Sequence, residues 1–444
     1  MINQICNLLQ NKKILILGFG REGKSTYRFI REHFPDKEVG IYDKNVIKDE
    51  LQKVIFHTGP SFHEVLSEYD LIIKSPGIVL DSVDRVEIGK FTSQTDLFLD
   101  FYRSQTIGIT GTKGKSTTSS LLYHILDHAG KDAILVGNIG IPVFDALEKI
   151  GENTIVVFEL SSHQLEYVTH SPHIGVLLNI YQEHLDHYGT FEKYKMAKEN
   201  IYRYQKEGDL LVFNKEFFEL PDDFKADIVT ISNTFEDADV VVNDNQIIDQ
   251  GNVFIIDEDK IHLKGSHNLY NIGFAYTLAK KCGVSDEQFR KGIETFKPLP
   301  HRMEYVAEVG GIKFYNDSIS TICETTMQAV NSLKEVDTVI LGGMDRGIDY
   351  EPLADFLLDS KIRNIILMPD TGYRIQKLME QSEKQHKDQN IVMVSNVEEA
   401  VKTAKEVTMQ RKTCLFSPAA ASYGFFKNFE ERGELFKKCV LNTN

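Results

Sequence analysis

The chain has 444 residues, a formal net charge of −15 at pH 7 and 42% hydrophobic residues. This length predicts about three domains, each large enough to bury its own core. The acidic balance argues against general nucleic-acid binding. We expect a cytoplasmic protein without membrane insertion, because no stretch resembles a membrane span and residues 1–12 lack an apolar signal core. Five dispersed cysteines without a C-x-x-C pair indicate reduced thiols rather than disulfides or a zinc site.

A first glycine-rich turn follows a predicted strand at residues 13–17 and precedes a predicted helix. The turn has the G-x-G-x-x-G spacing, and a second strand, residues 39–42, ends at Asp43 about twenty residues later. This pattern is typical of a Rossmann dinucleotide site, with the acidic residue on a ribose hydroxyl. The alternative is a turn that only lets helix and strand pack closely. Its glycines are Gly18, Gly20 and Gly23.

A second turn in the same region consists of Ser75, Pro76 and Gly77 and follows a predicted strand at residues 70–74. Turns at the carboxyl ends of strands are where open α/β sheets bind their ligands. We assign residues 1–103 to an N-terminal Rossmann-like domain.

The most informative stretch is a β-branched run at residues 106–110, followed by a glycine-rich loop and an apolar helical pattern. Such a loop directs backbone N–H groups and a helix N-terminus at one point, which suits a polyphosphate. Lys115 can reach phosphate oxygens, and the Ser116 hydroxyl can hold a magnesium ion. Ile109 stands where the first Walker glycine should be, and a chance G-K-S in a loop is the alternative. The predicted triphosphate loop is Gly111, Thr112, Lys113, Gly114, Lys115, Ser116 and Thr117.

Two strands of the second region end in polar residues. Residues 154–158 end at Glu159, as a Walker B strand ends at a metal-binding carboxylate, although Glu159 also neighbours a helix start. His184 stands just past the buried strand at residues 174–178, which favours a site role over the default of an exposed or hydrogen-bonded histidine. Lys198 lies on a predicted helix, where a solvated lysine is the ordinary interpretation.

A third region begins after Pro298 and Pro300, where strands again alternate with helical stretches. Arg302 and Asp317 adjoin its elements, where each has an ordinary capping role as its alternative. Short β-rich runs at residues 239–261 predict a hairpin excursion in the second region. We therefore predict an α/β protein of three domains: residues 1–103, a central P-loop ATPase-like domain at 104–297, and a C-terminal Rossmann-like domain at 298–444. The third-region strands are predicted at 338–341, 365–367, 391–394 and 414–416.

Together these residues resemble the Mur ligases, the ATP-dependent amide-forming enzymes of peptidoglycan precursor synthesis, over the whole chain. The phosphate loop has the short G-T-x-G-K-[ST] form of that family, which accounts for the missing Walker glycine. Residues 417–422 and 427–430 resemble in particular the members that add D-glutamate. Further matching segments are 137–140, 159–165, 183–186, 267–271, 299–302 and 316–318.

The resemblance implies three binding regions and no dinucleotide. The N-terminal domain would hold the UDP of UDP-N-acetylmuramoyl-L-alanine, and the third domain would contribute to ATP and to a D-glutamate pocket. Residues implied for the UDP sugar are Gly18, Gly20, Arg21, Glu22, Gly23, Asp43, Ser75, Pro76, Gly77, Asn138, Ser161 and His184. Those implied for ATP, besides the loop, are Asn268, Asn271, Arg302 and Asp317. Those implied for D-glutamate are Thr321, Arg346, Ser417 and Phe426.

The resemblance also implies a mechanism in which ATP activates the substrate carboxylate as an acyl phosphate, which the D-glutamate amine then attacks. Lys115, Glu159, His184 and Lys198 are the implied catalytic residues. Lys198 matches a family lysine that is carbamylated, and a carbamate can ligate a cation where an ammonium cannot. Mg²⁺ or Mn²⁺ would be held by Ser116, Glu159, His184 and modified Lys198, and we expect a monomer.

Two departures from the family pattern affect the third domain. The family commonly reads N-D-S-K-A-T-N, whereas this chain has Ile319 and Ile322 at the fourth and seventh positions. Arg346 stands where a lysine is frequent in the family. Its planar guanidinium has more donors than an ammonium, so the geometry of the D-glutamate pocket should differ. The alternatives are a related Mur-type ligase for another amino acid, a nucleotide-binding regulator without catalysis, suggested by Ile319, and a dinucleotide oxidoreductase, which leaves Lys115 and Glu159 unexplained.

Overall fold

The structure is a computed structural model that describes two compact units, Met1–Ile261 with Asn268–Phe296, and His262–His267 with Lys297–Asn444. The described residues are 1–44, 46–47, 51–59, 61–80, 88–221, 223–243, 245–263, 265–333, 335–382 and 389–442, without the side chains of 186, 266 and 267. Three sheets of five, nine and six strands organise these residues.

The five-stranded sheet has the order β3-β2-β1-β4-β5, and every pairing is parallel. Its central strand is the run Ile-Leu-Ile-Leu, whose four side chains are fully buried, as expected for a parallel strand covered on both faces. The strands are β1 (Ile14–Leu17), β2 (Val39–Asp43), β3 (Val54–Thr58), β4 (Leu71–Lys74) and β5 (Phe91–Thr92). The accompanying helices are α1 (Ile2–Gln10), α2 (Arg21–His33) and α3 (Gln94–Tyr102).

The nine-stranded sheet has the order β14-β13-β12-β11-β10-β9-β6-β8-β7. Its strands are β6 (Thr106–Thr110), β7 (Ala133–Gly137), β8 (Ile155–Glu159), β9 (Ile174–Leu177), β10 (Leu210–Asn214), β11 (Asp227–Ser232), β12 (Val240–Asn243), β13 (Gln246–Asp249) and β14 (Asn252–Ile255). Its helices are α4 (Lys115–His128), α5 (Val143–Ala146), α6 (Ser162–Leu165), α7 (Leu185–Tyr188), α8 (Phe191–Glu199), α9 (Ser266–Lys281) and α10 (Asp286–Thr295). Since β6 pairs in parallel with both β8 and β9, the polar residues that follow these three strands lie at one edge.

The six-stranded sheet has the order β15-β16-β20-β17-β18-β19 and is parallel except for the pair β15 and β16. Its strands are β15 (Glu304–Val309), β16 (Ile312–Asn316), β17 (Val336–Gly343), β18 (Asn364–Asp370), β19 (Asn390–Met393) and β20 (Thr413–Phe416). The helices are α11 (Cys323–Ser332), α12 (Glu351–Asp359), α13 (Thr371–Gln381), α14 (Val397–Val407) and α15 (Phe429–Leu441).

The predicted strands and helices around the two glycine loops are confirmed, and so are the four predicted strands of the third region. The predicted hairpin excursion is confirmed as the antiparallel strands β12, β13 and β14. These strands are not a separate module, because β12 pairs in parallel with β11 and so extends the central sheet. Among the described residues, no helix has the length and apolar character that crossing a membrane requires.

Candidate active site

The phosphate loop leads from β6 into α4 through two glycines with positive φ angles, 158° at Gly111 and 84° at Gly114. Gly114 is the N-cap of α4, so the loop ends at the positive end of the helix dipole. A Cβ atom at Gly114 would lie 2.5 Å from Oδ1 of Asn271. The backbone therefore approaches Asn271, one of the predicted ATP residues, more closely than a side chain would allow.

Asn179, just beyond β9, fixes the shape of this loop. Its carbonyl accepts a hydrogen bond from the Thr112 amide at 2.9 Å, and its Oδ1 accepts one from the Lys113 amide at 2.8 Å. Its side-chain amide donates to the Lys113 carbonyl at 3.1 Å. The hydroxyls of Tyr194 and Thr112 are 2.9 Å apart. Protein contacts thus preorganise the loop, as electrostatic stabilisation of a reacting phosphate requires.

Two lysines share the Gly111 carbonyl. The Lys115 ammonium donates to this carbonyl and to that of Thr112, both at 2.9 Å, and Nζ of Lys198 donates to the Gly111 carbonyl at 2.8 Å. Lys198 is only 1% exposed. Burial, assisted by repulsion from Lys115, holds the pKa of Lys198 well below its ordinary value. Lys198 is therefore not the solvated surface lysine of the ordinary interpretation, and burial makes its ammonium form easier to deprotonate than that of an exposed lysine.

Glu159, at the end of β8, is fully buried beside the loop. Its Oε1 accepts hydrogen bonds from the Ser116 hydroxyl at 3.1 Å and from Nδ2 of Asn138 at 2.8 Å. Its Oε2 is buried and accepts no hydrogen bond from the described residues. A buried carboxylate oxygen without a donor is costly unless a cation completes it. The predicted association of Glu159 with Ser116 is present in the structure.

His184 initiates the short helix α7 with a left-handed backbone at φ 56°, and its side chain is about half exposed. Its ring packs against that of His163, with centroids 4.9 Å apart, and His163 packs on His187 at 4.4 Å. Burial, followed by repulsion from His187 and His184, lowers the pKa of His163 to about 4. His187 Nε2 lies 2.9 Å from Oε2 of Glu166.

Magnesium needs only one or two carboxylates when phosphates and water supply the remaining ligands. Within the described part of the chain, no three His, Cys, Asp or Glu side chains form a group that would hold a metal by themselves. The unpaired Oε2 of Glu159 and the adjacent Ser116 hydroxyl nevertheless fit one oxygen-ligated cation. These two oxygen ligands therefore suit a magnesium ion that is also held by phosphate and water, rather than an ion enclosed by protein ligands alone.

The first glycine loop is built by close backbone contacts. A Cβ at Gly23 would lie 2.1 Å from the Gly18 carbonyl oxygen, so the third glycine is required for helix–strand packing. The Ser75 hydroxyl donates to the same carbonyl at 2.8 Å. Oδ2 of Asp43 accepts a hydrogen bond from the Phe19 amide at 2.8 Å. The turn at residues 75–77 and the strand-end acid therefore meet at the loop, as predicted.

Residues at the start of α2, which follows this loop, contact the segments that follow β7 and β8 in the nine-stranded sheet of the same unit. Nη1 of Arg21 donates to the Asn138 carbonyl at 3.3 Å, and Oε1 of Glu22 accepts from Nε2 of Gln164 at 2.8 Å. Burial raises the pKa of Glu22 and lowers that of nearby Lys74 to about 8. Because Nδ2 of Asn138 also donates to Glu159, the predicted UDP and phosphate regions are joined through one residue, by its backbone carbonyl and its side chain.

In the second unit, Asp317 follows β16 and is 3% exposed. Its Oδ2 accepts from the hydroxyls of Ser320 at 2.6 Å and Ser417 at 2.8 Å, and its Oδ1 accepts from the Met303 amide at 3.1 Å. Burial outweighs these donors and raises the pKa of Asp317 from 3.8 to about 6. Asp317 is therefore not an ordinary exposed cap.

The remaining predicted residues of this unit have different surroundings. Nε of Arg302 is buried and donates to none of the described residues, while Nη2 of Arg346 donates to the Thr321 carbonyl at 2.9 Å. Phe426 is half-buried and packs against the core that contains Phe416. Hydrogen bonds therefore pair Ser417 with Asp317, and Arg346 with Thr321.

A family model described as the Mur ligase middle domain matches residues 109–279, which include the phosphate loop, Glu159 and Lys198. A Clostridium botulinum protein named UDP-N-acetylmuramoylalanine–D-glutamate ligase is 34% identical over 453 residues, covering 98% of this chain and 97% of that protein. The chain belongs to the Mur ligase family. A Thermoanaerobacter relative of this Mur ligase, with the same name, is 31% identical over 97% of the chain and 98% of its own length.

Solved structures of similar fold include MurF from Thermotoga maritima in complex with ADP, with a TM-score of 0.59 at 16% identity over 97% of this Mur ligase and 96% of that chain. MurF from Acinetobacter baumannii gives a TM-score of 0.62 at 16% identity over 99% and 98%. At such identity the likeness concerns the fold, and it confirms the predicted three-domain α/β architecture.

Sequence reasoning missed several residues that shape the site of this Mur ligase. Asn179 directly follows the strand predicted at residues 174–178, and that position is itself a usable signal. Tyr194, which contacts the phosphate loop, carries no signal because it lies inside a helix. Gln164 donates a hydrogen bond to Glu22, and Ser320 donates one to Asp317. Neither contact has a signal in the sequence.

Proposed function

We propose that this Mur ligase joins D-glutamate to UDP-N-acetylmuramoyl-L-alanine, with conversion of ATP to ADP and phosphate. We base the ATP-dependent step on the buried Glu159, whose unpaired Oε2 lies beside the Ser116 hydroxyl at the phosphate loop. The choice of D-glutamate is supported by the full-length relatives that carry this name. We place the domain boundaries after residues 103 and 297.

In the proposed reaction, the substrate carboxylate attacks the γ-phosphate of ATP and forms an acyl phosphate. The amine of D-glutamate then attacks the activated carbonyl, and phosphate leaves from the tetrahedral intermediate. Backbone N–H groups of the loop and Lys115 stabilise the charge that develops on the phosphoryl oxygens. Lys115 leaves the Gly111 and Thr112 carbonyls to reach the phosphate, which its flexible stem permits.

Mg²⁺, or Mn²⁺ in its place, supplies electrostatic stabilisation of the phosphates when bound. Ser116 and Glu159 would hold one ion, and His184 with Lys198 would hold another. Lys198 fits this role only as its carbamate, which carries the anionic oxygens that an ammonium lacks. The lowering of the Lys198 pKa by burial supports this assignment, since the neutral amine is the form that reacts with carbon dioxide.

We assign the first glycine loop, Arg21, Glu22, Asp43 and the turn at residues 75–77 to the UDP sugar, together with Asn138, Ser161 and His184. The contact of Arg21 with the Asn138 carbonyl supports this grouping. We assign Asn268, Asn271, Arg302 and Asp317 to ATP. Oδ1 of Asn271 lies 3.3 Å from the hydroxyl of Thr118, on the helix that follows the phosphate loop.

We assign Thr321, Arg346, Ser417 and Phe426 to D-glutamate. The exposed Arg346 supplies a cation for a carboxylate, and its donation to the Thr321 carbonyl supports the pairing of these two residues. We further propose that the protein acts in the cytoplasm as a monomer, for which sedimentation of the purified chain is the direct measurement.

An amino-acid panel tests the proposal. Phosphate release is measured with ATP, Mg²⁺, UDP-N-acetylmuramoyl-L-alanine and each amino acid in turn, and D-glutamate should give by far the highest rate. Lys115→Ala should abolish release, while Lys149→Ala, the same change at an exposed lysine, should not. Release with another amino acid but none with D-glutamate would overturn the substrate assignment. ATP binding without release for every amino acid would favour the non-catalytic regulator.

A further inference from the structure

The loop between β17 and α12 is held by one arginine from another helix. Nη1 of Arg374, on α13, donates to both carboxylate oxygens of Asp345, at 2.7 and 2.9 Å. Nη2 of the same side chain donates to the Ile348 carbonyl at 3.0 Å. The guanidinium also lies 5.2 Å from the ring centre of Tyr350. Three points of the loop are therefore fixed by a single planar group.

The ends of this loop are anchored as well. The Met344 amide donates to the Ala421 carbonyl at 3.0 Å, and the Tyr350 hydroxyl donates to the Ala419 carbonyl at 3.1 Å. Inside the loop, the Gly347 amide donates to Oδ1 of Asp345 at 2.8 Å, and Gly347 has φ 74°. Polar contacts thus fix the backbone on either side of residue 346, and the packing of Ile348 and Tyr350 on the core adds to them.

Arg346 lies between these anchors and is exposed. Its Nη2 donates to the Thr321 carbonyl at 2.9 Å, which turns the guanidinium toward the segment between β16 and α11. Within the described residues, Nε and Nη1 of Arg346 donate no hydrogen bond to the protein. A fork with free donors and a fixed orientation is suited to a planar carboxylate.

We propose that Arg374 is a positioning residue for the amino-acid substrate: it fixes the loop at residues 345–350 so that Arg346 presents its free donors to the side-chain carboxylate of that substrate. This rests on the proposed function, in which Arg346 belongs to the D-glutamate pocket. Arg374 itself touches no substrate. It acts through Asp345 and the Ile348 carbonyl.

The competing explanation is a purely structural role for Arg374 in holding α13 against the loop. The positioning role and the structural role predict different effects. The side chains of Arg374 and Asp345 are 40% and 28% exposed, and such a partly exposed pair contributes little to global stability. If Arg374 only positions the loop, its loss should therefore leave the melting temperature unchanged. Loss of positioning should appear in the KM for the amino acid. A structural role should appear in the melting temperature and in the KM values of all three substrates.

The experiment compares Arg374→Met with Lys377→Met, which also removes a cationic side chain from the same helix but at an exposed position. We expect Arg374→Met to raise the KM for D-glutamate about tenfold, with the KM for ATP and the melting temperature unchanged. Arg374→Lys keeps the charge but cannot reach Asp345 and the Ile348 carbonyl together, so it should restore only part of the affinity. Lys377→Met should behave as the wild type.

A double-mutant cycle decides whether Arg374 acts through Arg346. In an Arg346→Met background, Arg374→Met should cause no further rise in the KM for D-glutamate. Equal effects of Arg374→Met in both backgrounds, or a general fall in melting temperature, would overturn the positioning role. A wild-type enzyme that releases no phosphate with D-glutamate would instead refute the proposed function, before any variant is compared.

Discussion

The buried carboxyl of Asp317 allows a sharp test of the second unit. Asp317→Asn keeps the size of the side chain and one acceptor oxygen but removes the negative charge. Since burial raises the pKa of Asp317 to about 6, the ionised form opposes folding near neutral pH. We expect this variant to gain stability relative to the wild type as the pH rises, while its use of ATP becomes poorer.

The size of the effect follows from the pKa shift. A shift from 3.8 to about 6 corresponds to about 3 kcal/mol of lost stability in the fully ionised form. The folded-state pKa lies above the unfolded value, so the contribution is fully present below pH 3.8 and is lost as the pH rises through about 6. Between about pH 5 and about pH 7.5, the difference between variant and wild type should change by roughly 1.5 kcal/mol.

The assay is urea unfolding followed by circular dichroism at these two pH values, for the wild type and Asp317→Asn. Because a chain of several domains need not unfold in one step, the transition that the substitution moves is the one to compare. Ser320→Ala is the companion variant. It removes the hydroxyl that donates to Oδ2 at 2.6 Å, so the pKa of Asp317 should rise further and the loss of stability should extend to higher pH.

Two results would contradict this reasoning. A stability difference that stays constant between the two pH values would mean that Asp317 does not titrate with a raised pKa. A difference that changes in the opposite direction would mean that its three donors outweigh burial. If Asp317→Asn left the KM for ATP unchanged, the assignment of this carboxylate to the nucleotide would fall, whatever the stability data showed.

Three further predictions concern the first unit. Glu159→Gln should lose the Mg²⁺-dependent part of the melting-temperature increase caused by ATP, because the anionic Oε2 is gone; an unchanged Mg²⁺ response would exclude Glu159 as a ligand. Enzyme depleted of carbon dioxide should lose activity and regain it with bicarbonate, since burial favours the neutral Lys198 amine; indifference to bicarbonate would exclude the carbamate. Gly23→Ala should destabilise the fold by about 2 kcal/mol or more, because its Cβ would lie 2.1 Å from the Gly18 carbonyl oxygen. The Cβ of Gly20→Ala meets nothing within 4 Å, so this variant should raise only the KM for the UDP sugar. Equal melting temperatures of the two variants would refute this contrast.

The sheets were predictable because their central strands are continuous apolar runs. The apolar run at residues 154–158 predicts both β8 and the position of Glu159, because a charged residue of a buried parallel strand is best accommodated at the end of the strand. The two glycine loops were predictable for a related reason. Their positive φ angles and close backbone contacts restrict the sequence to glycine at fixed spacings.

Contacts between distant segments could not be predicted in the same way. Lys198 had the pattern of a surface lysine, and only the packing of α8 under the phosphate loop buries it. Ser417 and Asp317 are 100 residues apart in the chain, and the parallel pairing of β16 with β20 brings them together. Arg374 lies on a helix whose sequence gives no sign that its fork holds Asp345.

A buried charge does not by itself mark a functional residue, as Arg432 of this Mur ligase illustrates. Arg432 is 1% exposed, yet its three side-chain nitrogens donate to Ser318 and to the Ala420 carbonyl. Burial lowers its pKa to about 10, so it stays charged near neutral pH and acts as a structural clamp. Asp317, in contrast, titrates near neutral pH, and Glu159 keeps an oxygen without a protein donor. Glu159 and Asp317 are therefore stronger candidates for a functional role than Arg432, because a perturbed pKa or an oxygen without a donor is commoner in functional sites than in structural ion clamps.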